Sequence, residues 1–106
     1  MFYINNQLWK IAFVDSWSIY LKNEDTGSFS LGSCDISSHT IYLNKYLVDE
    51  KLFKVICHEI THAILYSYNI VLEYFNEEEL ADIISSYGYE ILYLTTQVFQ
   101  NLNEAY

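Results

Sequence analysis

The sequence of 106 residues predicts a small α+β domain in which an antiparallel sheet is followed by two helices. Strand-like runs rich in β-branched and aromatic residues fill the first half, and apolar residues recur at helical spacing in the second half. The chain has no proline and three glycines, so few elements should be interrupted. At 52% hydrophobic residues it can form one small core, and residues 1–106 are predicted to be a single domain.

The first half contains five β-rich runs. FYI and WKIAFV flank the polar residues NNQ, which predicts a β-hairpin. SIYLK follows as a further β-rich run that ends at the turn cluster NEDTG. Strands are also predicted within SFSLGSCDI, where Gly32 marks a bulge or a close approach of another segment, and in HTIYLN, where the residues alternate.

The second half contains two predicted helices. Apolar residues recur at spacings of three and four from Val48 to about Tyr68, as on an amphipathic helix. YNIVLEYF is then a connection. Asn76 is the expected N-cap of the next helix, Glu79 completes a pattern like a capping box, and the apolar stripe continues to about Leu102.

Charge and composition exclude several classes of function. The net charge is −9 and arginine is absent, so the clustered cations that bind nucleic acid are missing. No signal peptide and no apolar run as long as a membrane span is visible, which predicts a cytoplasmic protein with two reduced cysteines, Cys34 and Cys57. The expected partner is a protein or peptide, with a basic one favoured by the acidic surface.

The aromatic residues bear on both core and oligomeric state. We expect five of them to lie in the core: Trp9, Trp17, Tyr89, Tyr93 and Phe99. A domain of this size cannot bury all its late aromatic residues, so the protein is predicted to be a monomer or a weak homodimer.

The first predicted helix contains His58-Glu59-Ile60-Thr61-His62, the pattern H-E-x-x-H. Two histidines four residues apart project from one helix face, so both imidazoles can reach one zinc ion. Glu59 can then take a proton from a zinc-bound water, as a general base. The alternative is two histidines without a shared ligand, but the strongly apolar flanks make that arrangement costly.

A catalytic zinc site needs a third protein ligand, and NEEELADII is the best source. Glu78 and Asp82 share a helix face, so Glu78 can be the ligand and Asp82 can accept the free N–H of a zinc-bound histidine. Glu77 and Glu79 remain alternatives for the third ligand. All three glutamates also fit a first helical turn that simply favours acidic residues.

These residues carry a resemblance to a known family. H-E-x-x-H at residues 58–62, followed by E-x-x-A-D at residues 78–82, resembles the gluzincin peptidases, and most of all the short phage and prophage relatives of the ImmA/IrrE metallopeptidases. LGSCDISSHTIYLNKYL, before the helix, is also similar to that group. The resemblance covers about residues 28–90. SprT-like proteins share the strand-then-helix order but usually use a third histidine, which this chain lacks after His62.

The resemblance implies a minimal zincin-like domain in which zinc is bound by His58, His62 and Glu78. It also implies that Glu59 is the general base and that Asp82 accepts a hydrogen bond from a zinc-bound histidine. It also implies that an edge strand within residues 28–36 pairs with an extended substrate, such as a repressor or host regulator. His39 is a candidate oxyanion donor, and a solvent-facing residue at a strand start is the alternative.

Two other functions compete with the peptidase. The first is a phage-type binding or inhibitor protein that keeps the zinc site without cutting. The second is a structural zinc domain, which the residues disfavour because structural sites usually close the tetrahedron with Cys and His.

Overall fold

The computed structural model describes residues 1–104, and the side chains of residues 1–102. It confirms the α+β class: a four-stranded sheet is followed by two helices. The elements are β1 (Phe2–Ile4), β2 (Gln7–Val14), β3 (Gly32–Asp35), β4 (Thr40–Asn44), α1 (Asp49–Ser67) and α2 (Glu77–Glu104).

The chain begins with the expected hairpin. β1 and β2 pair antiparallel, with Ile4 opposite Gln7. Asn5 and Asn6 form the two-residue loop with φ of 49° and 63°, and asparagine tolerates this left-handed backbone well. The Asn5 side chain also donates a hydrogen bond of 3.2 Å to the Ser67 carbonyl, which ties the hairpin to the end of α1.

The sheet is mixed, so the prediction of an antiparallel sheet is wrong in one pairing. The strand order is β1-β2-β4-β3, and β2 pairs with β4 in parallel. β3 and β4 pair antiparallel, as do β1 and β2. Residues 15–39 connect β2 to β4 and include β3, which runs in the opposite direction, so the chain returns to the start of β4 as a parallel pair requires.

Burial explains why β4 lies inside the sheet and β3 lies at its edge. Ile41 and Leu43 of β4 are fully buried, and both point toward the core under α1. The four residues of β3 are Gly-Ser-Cys-Asp, all half-buried, and polar side chains tolerate an edge position better. The edge strand expected within residues 28–36 is therefore present as β3.

The run SIYLK is not a strand. Residues Ile19–Leu21 form a single 3₁₀ turn, capped by the Ser18 hydroxyl, which accepts a hydrogen bond of 3.2 Å from the Tyr20 backbone. Leu21 is buried, and the Tyr20 ring stacks on Tyr42 with centroids 4.3 Å apart. The segment between β2 and β3 therefore covers part of the sheet face opposite the helices instead of adding a strand.

Helix α1 supplies most of the core between the sheet and α2. Its fully buried residues are Ile56, Ile60, Ala63 and Ile64, on one face at the spacing of three and four that the sequence predicts. They pack with Trp9 and the β4 residues in one cluster. This face fixes the rotation of α1, and so fixes which face carries the histidines.

Helix α2 packs antiparallel to α1. Near one end Phe53 meets Phe99 edge to face, and at the other end the Tyr68 hydroxyl donates to the Glu90 carboxylate at 2.8 Å. Asn76 is the N-cap as predicted, since its side chain accepts a hydrogen bond of 3.0 Å from the Glu79 backbone.

Some predicted core aromatics are on the surface. Trp9 is fully buried and Phe99 packs against the core, as expected, but Trp17 is 77% and Tyr89 84% exposed. Tyr93 is also largely exposed, and stacks on Tyr89. Of the helices that the structure describes, none combines the length and apolarity needed to cross a bilayer.

Candidate metal centre

The two histidines of the H-E-x-x-H pattern lie side by side on α1. Their Nε2 atoms are 3.3 Å apart, and their rings meet at 71°. Both rings are exposed on the helix face that looks toward β3 and away from the core. The spacing of four residues therefore produces the convergence that the sequence predicts.

The separation of the two nitrogens suits a shared zinc ion. Nitrogen ligands at about 2.0–2.1 Å in a tetrahedron are about 3.3–3.4 Å from each other. The observed 3.3 Å falls in this range. A direct N–H to N hydrogen bond is the other way to hold the rings, and the same 3.3 Å is within reach of such a bond.

Glu59 is buried beside the pair, although both histidines are exposed. It is 6% exposed, and it turns from α1 toward β3. Burial raises the pKa of the Glu59 carboxyl, and the nearby His58 and His62 partly offset that effect. A carboxyl whose pKa is raised is better suited to accept and return a proton than one with an ordinary pKa.

The absence of a side chain at Gly32 makes room for Glu59. A Cβ at Gly32 would lie 2.7 Å from the Val55 Cγ1 atom and 3.0–3.1 Å from the Glu59 side chain. The sequence predicted a bulge or a close approach at Gly32, and the structure shows a close approach to α1. This contact places the edge strand β3 directly against Glu59, the candidate general base.

A cleft runs between α1 and β3, with His58 and Glu59 at its centre. Two adjoining cavities of about 330 and 460 Å³ share these residues and Gly32. β3 is the last strand of the sheet, so one side of its backbone has no strand partner in the described chain. The cleft thus places an exposed strand edge next to the His pair.

Both cysteines are free. Cys57 packs against the core, as predicted for a small apolar residue. Cys34 lines the cleft, where burial and the negative charges of Glu59 and Asp35 raise its pKa to about 12. The Cys34 thiol is therefore protonated at neutral pH.

The structure does not bring Glu78 to the histidines. Because Tyr68 at the end of α1 meets Glu90, the earlier part of α2 extends past the end of α1. At about 1.5 Å per residue, Glu78 lies about 18 Å along α2 beyond Glu90. Glu78 and Asp82 are both exposed on this extension.

Among the side chains of residues 1–102, no group of three or more His, Cys, Asp or Glu is close enough to hold a metal ion. His58 and His62 fit zinc in donor type and spacing, but no third ligand lies beside them among these side chains. Of the alternatives, Glu79 accepts hydrogen bonds from the backbone of Glu73 and Tyr74 at 2.7 and 2.6 Å, and so is engaged in capping. Glu78 as third ligand stays a prediction.

His39 lies outside the cleft lining. Its ring stacks on Trp9 at 4.6 Å, and its φ is 51° in the turn before β4. The structure therefore gives His39 a packing role against the buried Trp9. The ring is half-buried and so does not face open solvent, which was the alternative, and His39 as an oxyanion donor stays a prediction.

Tyr66 is a cleft residue that sequence reasoning did not single out. It follows His62 by one helical turn, lines the same cavity and is 43% exposed. Its phenol can donate a hydrogen bond into the cleft. The signal was present in the sequence, because Tyr66 continues the four-residue spacing of His58 and His62.

Comparison of the chain with protein-family models, curated proteins and solved structures found no match.

Proposed function

We propose that this protein is a zinc-dependent peptidase, in which His58 and His62 hold the ion and Glu59 is the general base. The observation that carries the proposal is the 3.3 Å separation of the two Nε2 atoms beside a buried carboxyl in a cleft with a free strand edge. Zinc, when bound, would supply a water of lowered pKa and polarise the substrate carbonyl.

The residues of the chain would share the remaining work. Glu59 takes a proton from the attacking water and returns it to the leaving amine. The backbone of Gly32–Asp35 binds an extended peptide by strand addition, which aligns the peptide with α1. Tyr66 donates its hydroxyl proton in a hydrogen bond to the oxygen that gains negative charge.

The first experiment measures zinc content and cleavage together. We expect the wild-type protein, purified in zinc and dialysed, to retain near-stoichiometric metal, and His62→Gln to lose it. Glu59→Gln should keep the zinc and lose about 10²–10⁴-fold in the cleavage rate of casein or of the protein itself. If the wild-type protein retained no zinc, the proposal would be contradicted.

The third ligand is tested by a pair of matched variants. The prediction from the sequence that Glu78 is the third ligand requires Glu78→Gln to weaken zinc binding, measured by competition with a chelating dye, because one ligand charge would be lost. Glu77→Gln changes the same charge on the same helical turn and should leave the affinity unchanged. Equal affinities for both variants and wild type would exclude Glu78 and require another third ligand.

Tyr66 has its own test. Tyr66→Phe removes only the hydroxyl, and we expect kcat to fall about 10²-fold because one oxyanion donor is lost. Tyr89→Phe is the control, since Tyr89 is 84% exposed on α2. Unchanged kcat in Tyr66→Phe, with zinc still bound, would exclude this role for Tyr66.

A second function, binding without proteolysis, is favoured by one observation: among the described residues no third ligand joins the two histidines. In that case the cleft would hold a protein segment on the β3 edge without cutting it. The Glu59→Gln variant separates the two functions. A biological effect that survives Glu59→Gln supports binding, and loss of the effect supports the peptidase.

A further inference from the structure

The two ends of the cleft differ in chemistry. Toward the C-terminal end of α1, beyond His62, the walls are Cys34, Ile36 and Tyr66, without a charged group. Toward the N-terminal end, before His58, the walls are Leu31, Val55 and Lys54. A peptide lying along β3 would therefore meet an aromatic end and a cationic end on either side of the His pair.

A second lysine reinforces the cationic end. Lys51 lines a small cavity next to the cleft, and Leu31 lines both spaces. Lys51 and Lys54 are three residues apart on α1, so they project from neighbouring positions of one helix face. Both are exposed, and neither forms an ion pair with a side chain of residues 1–102, even though Glu50 lies one turn before Lys54.

This clustering stands out against the composition. The chain has five lysines and no arginine against fourteen acidic residues. Two of the five lysines lie at this end of the cleft, and no lysine follows Lys54 in the sequence. Cations without partners beside an apolar side chain suit a ligand that brings both a carboxylate and an apolar stem.

We propose that the cleft selects extended peptides that carry a carboxylate at the Lys51–Lys54 end. The proposal rests on the proposed function for the position of the peptide along β3. Lys54 and Lys51 precede His58 by about 6 and 10 Å along the helix, and an extended chain advances about 3.3 Å per residue. The carboxylate therefore lies two or three residues from the residue that faces His58.

The local charge at the Lys51–Lys54 end of the cleft differs in sign from the net charge of the chain. A net charge of −9 favours basic partner proteins at long range, as the sequence predicts. The cleft end carries the opposite local charge, and short-range contacts decide which segment fits there. The recognised carboxylate is either an Asp or Glu side chain or the C-terminus of a peptide.

The test uses zinc-loaded Glu59→Gln protein and short fluorescein-labelled peptides with uncharged randomised sequences. Three pools have amidated C-termini and carry Glu, Gln or Lys at positions two and three residues from the centre, on both sides. A fourth pool carries Gln there and ends in a free carboxylate at the same distance. Binding is measured by fluorescence anisotropy.

We expect a pool with a carboxylate, Glu or C-terminal, to bind about threefold to tenfold more tightly than the amidated Gln pool, as suits two partly exposed ion pairs. The Lys pool should bind most weakly. Adding Lys51→Gln and Lys54→Gln should abolish the preference. Lys10→Gln with Lys22→Gln changes the net charge equally, away from the cleft cavities, and should preserve it.

Equal binding of all pools, no binding of any pool, or a preference that survives the Lys51 and Lys54 substitutions would overturn the inference. Cleavage by the wild-type protein is scored separately. A carboxylate preference without cleavage would support this inference and remove the peptidase, whereas cleavage without a preference would remove this inference alone.

Discussion

At the scale of single residues, Gly32 holds the edge strand against Glu59. Its missing side chain leaves space that the Val55 and Glu59 side chains fill, at 2.7–3.1 Å from where a Cβ would lie. Sequence analysis identified the position but left its purpose open between a bulge and a close approach. The identity of the partner could not be predicted, because a contact between β3 and α1 depends on how the two elements pack.

A substitution at Gly32 tests this contact. Gly32→Ala should destabilise the fold by about 1–3 kcal/mol, because the added methyl overpacks the interface, and it should displace the Glu59 carboxyl. Chemical denaturation measures the first effect, and the cleavage rate measures the second.

Gly88→Ala is the matched control for Gly32→Ala. A Cβ at Gly88 would make an ordinary contact of 3.4 Å with Ile84, and alanine is favoured over glycine inside a helix by about 0.5–1 kcal/mol. Gly88→Ala should therefore stabilise the protein. If both alanine substitutions changed the free energy of unfolding in the same direction, the packing account of Gly32 would be contradicted.

At the scale of elements, the start of α2 is organised by one carboxylate. Slight desolvation raises the pKa of Glu79, but hydrogen bonds from the backbone of residues 73–76 outweigh it and leave the pKa below its ordinary value. The connection before α2 is thus tied to the first helical turn. The capping-box pattern predicted this cap, although it did not predict that Glu79 would also hold the preceding loop.

The lowered pKa of Glu79 gives a pH dependence. Because the folded pKa is below the unfolded one, the stabilisation is complete above the ordinary carboxyl pKa and is lost as the pH falls through the lowered pKa. The protection of the Glu73 and Tyr74 amides from hydrogen exchange, taken relative to the intrinsic rate at each pH, should therefore fall on acidification.

Glu79→Gln is expected to lower the protection of the Glu73 and Tyr74 amides already at neutral pH and to flatten the pH dependence of that protection. Glu77→Gln, in the same turn, should leave both amides protected. Protection that does not change with pH in the wild-type protein would contradict the account of this cap.

The pairing of elements was harder to predict than their existence. The hairpin, β3, β4 and both helices lie where periodicity places them, because each has its own pattern of apolar residues. The parallel pairing of β2 with β4 was missed, since strand order depends on which strand is buried most. SIYLK became a 3₁₀ turn, in which Leu21 is buried and the Tyr20 ring covers Tyr42 on a sheet face, instead of a strand that extends an edge.

At the scale of the whole molecule, the charge is distributed unevenly. All five lysines precede residue 55, while the rest of the chain adds acidic residues without a cation other than histidine. Among the described side chains there is one ion pair, between Lys45 and Asp15 at 3.6 Å. Repulsion among acidic residues therefore lowers the stability of the folded chain.

Salt should raise the thermal midpoint. Increasing sodium chloride from low to physiological concentration shortens the screening length to about 8 Å and weakens this repulsion. We expect Tm, followed by circular dichroism in the presence of a chelator, to increase, and choline chloride to act similarly. A Tm that falls with both salts would show that attractive pairs outweigh repulsion in this fold.

The sequence by itself determined the positions of the helices and most strands, and the convergence of His58 and His62, because these follow from local periodicity and from the geometry of one helix turn. Only the tertiary structure decided the mixed strand order, the position of β3 opposite Glu59, and the entry of Tyr66 and Lys54 into one cleft. It also decided that Glu78 extends past α1, since the register between two helices is set by contacts such as Phe53 with Phe99 and not by spacing along the chain.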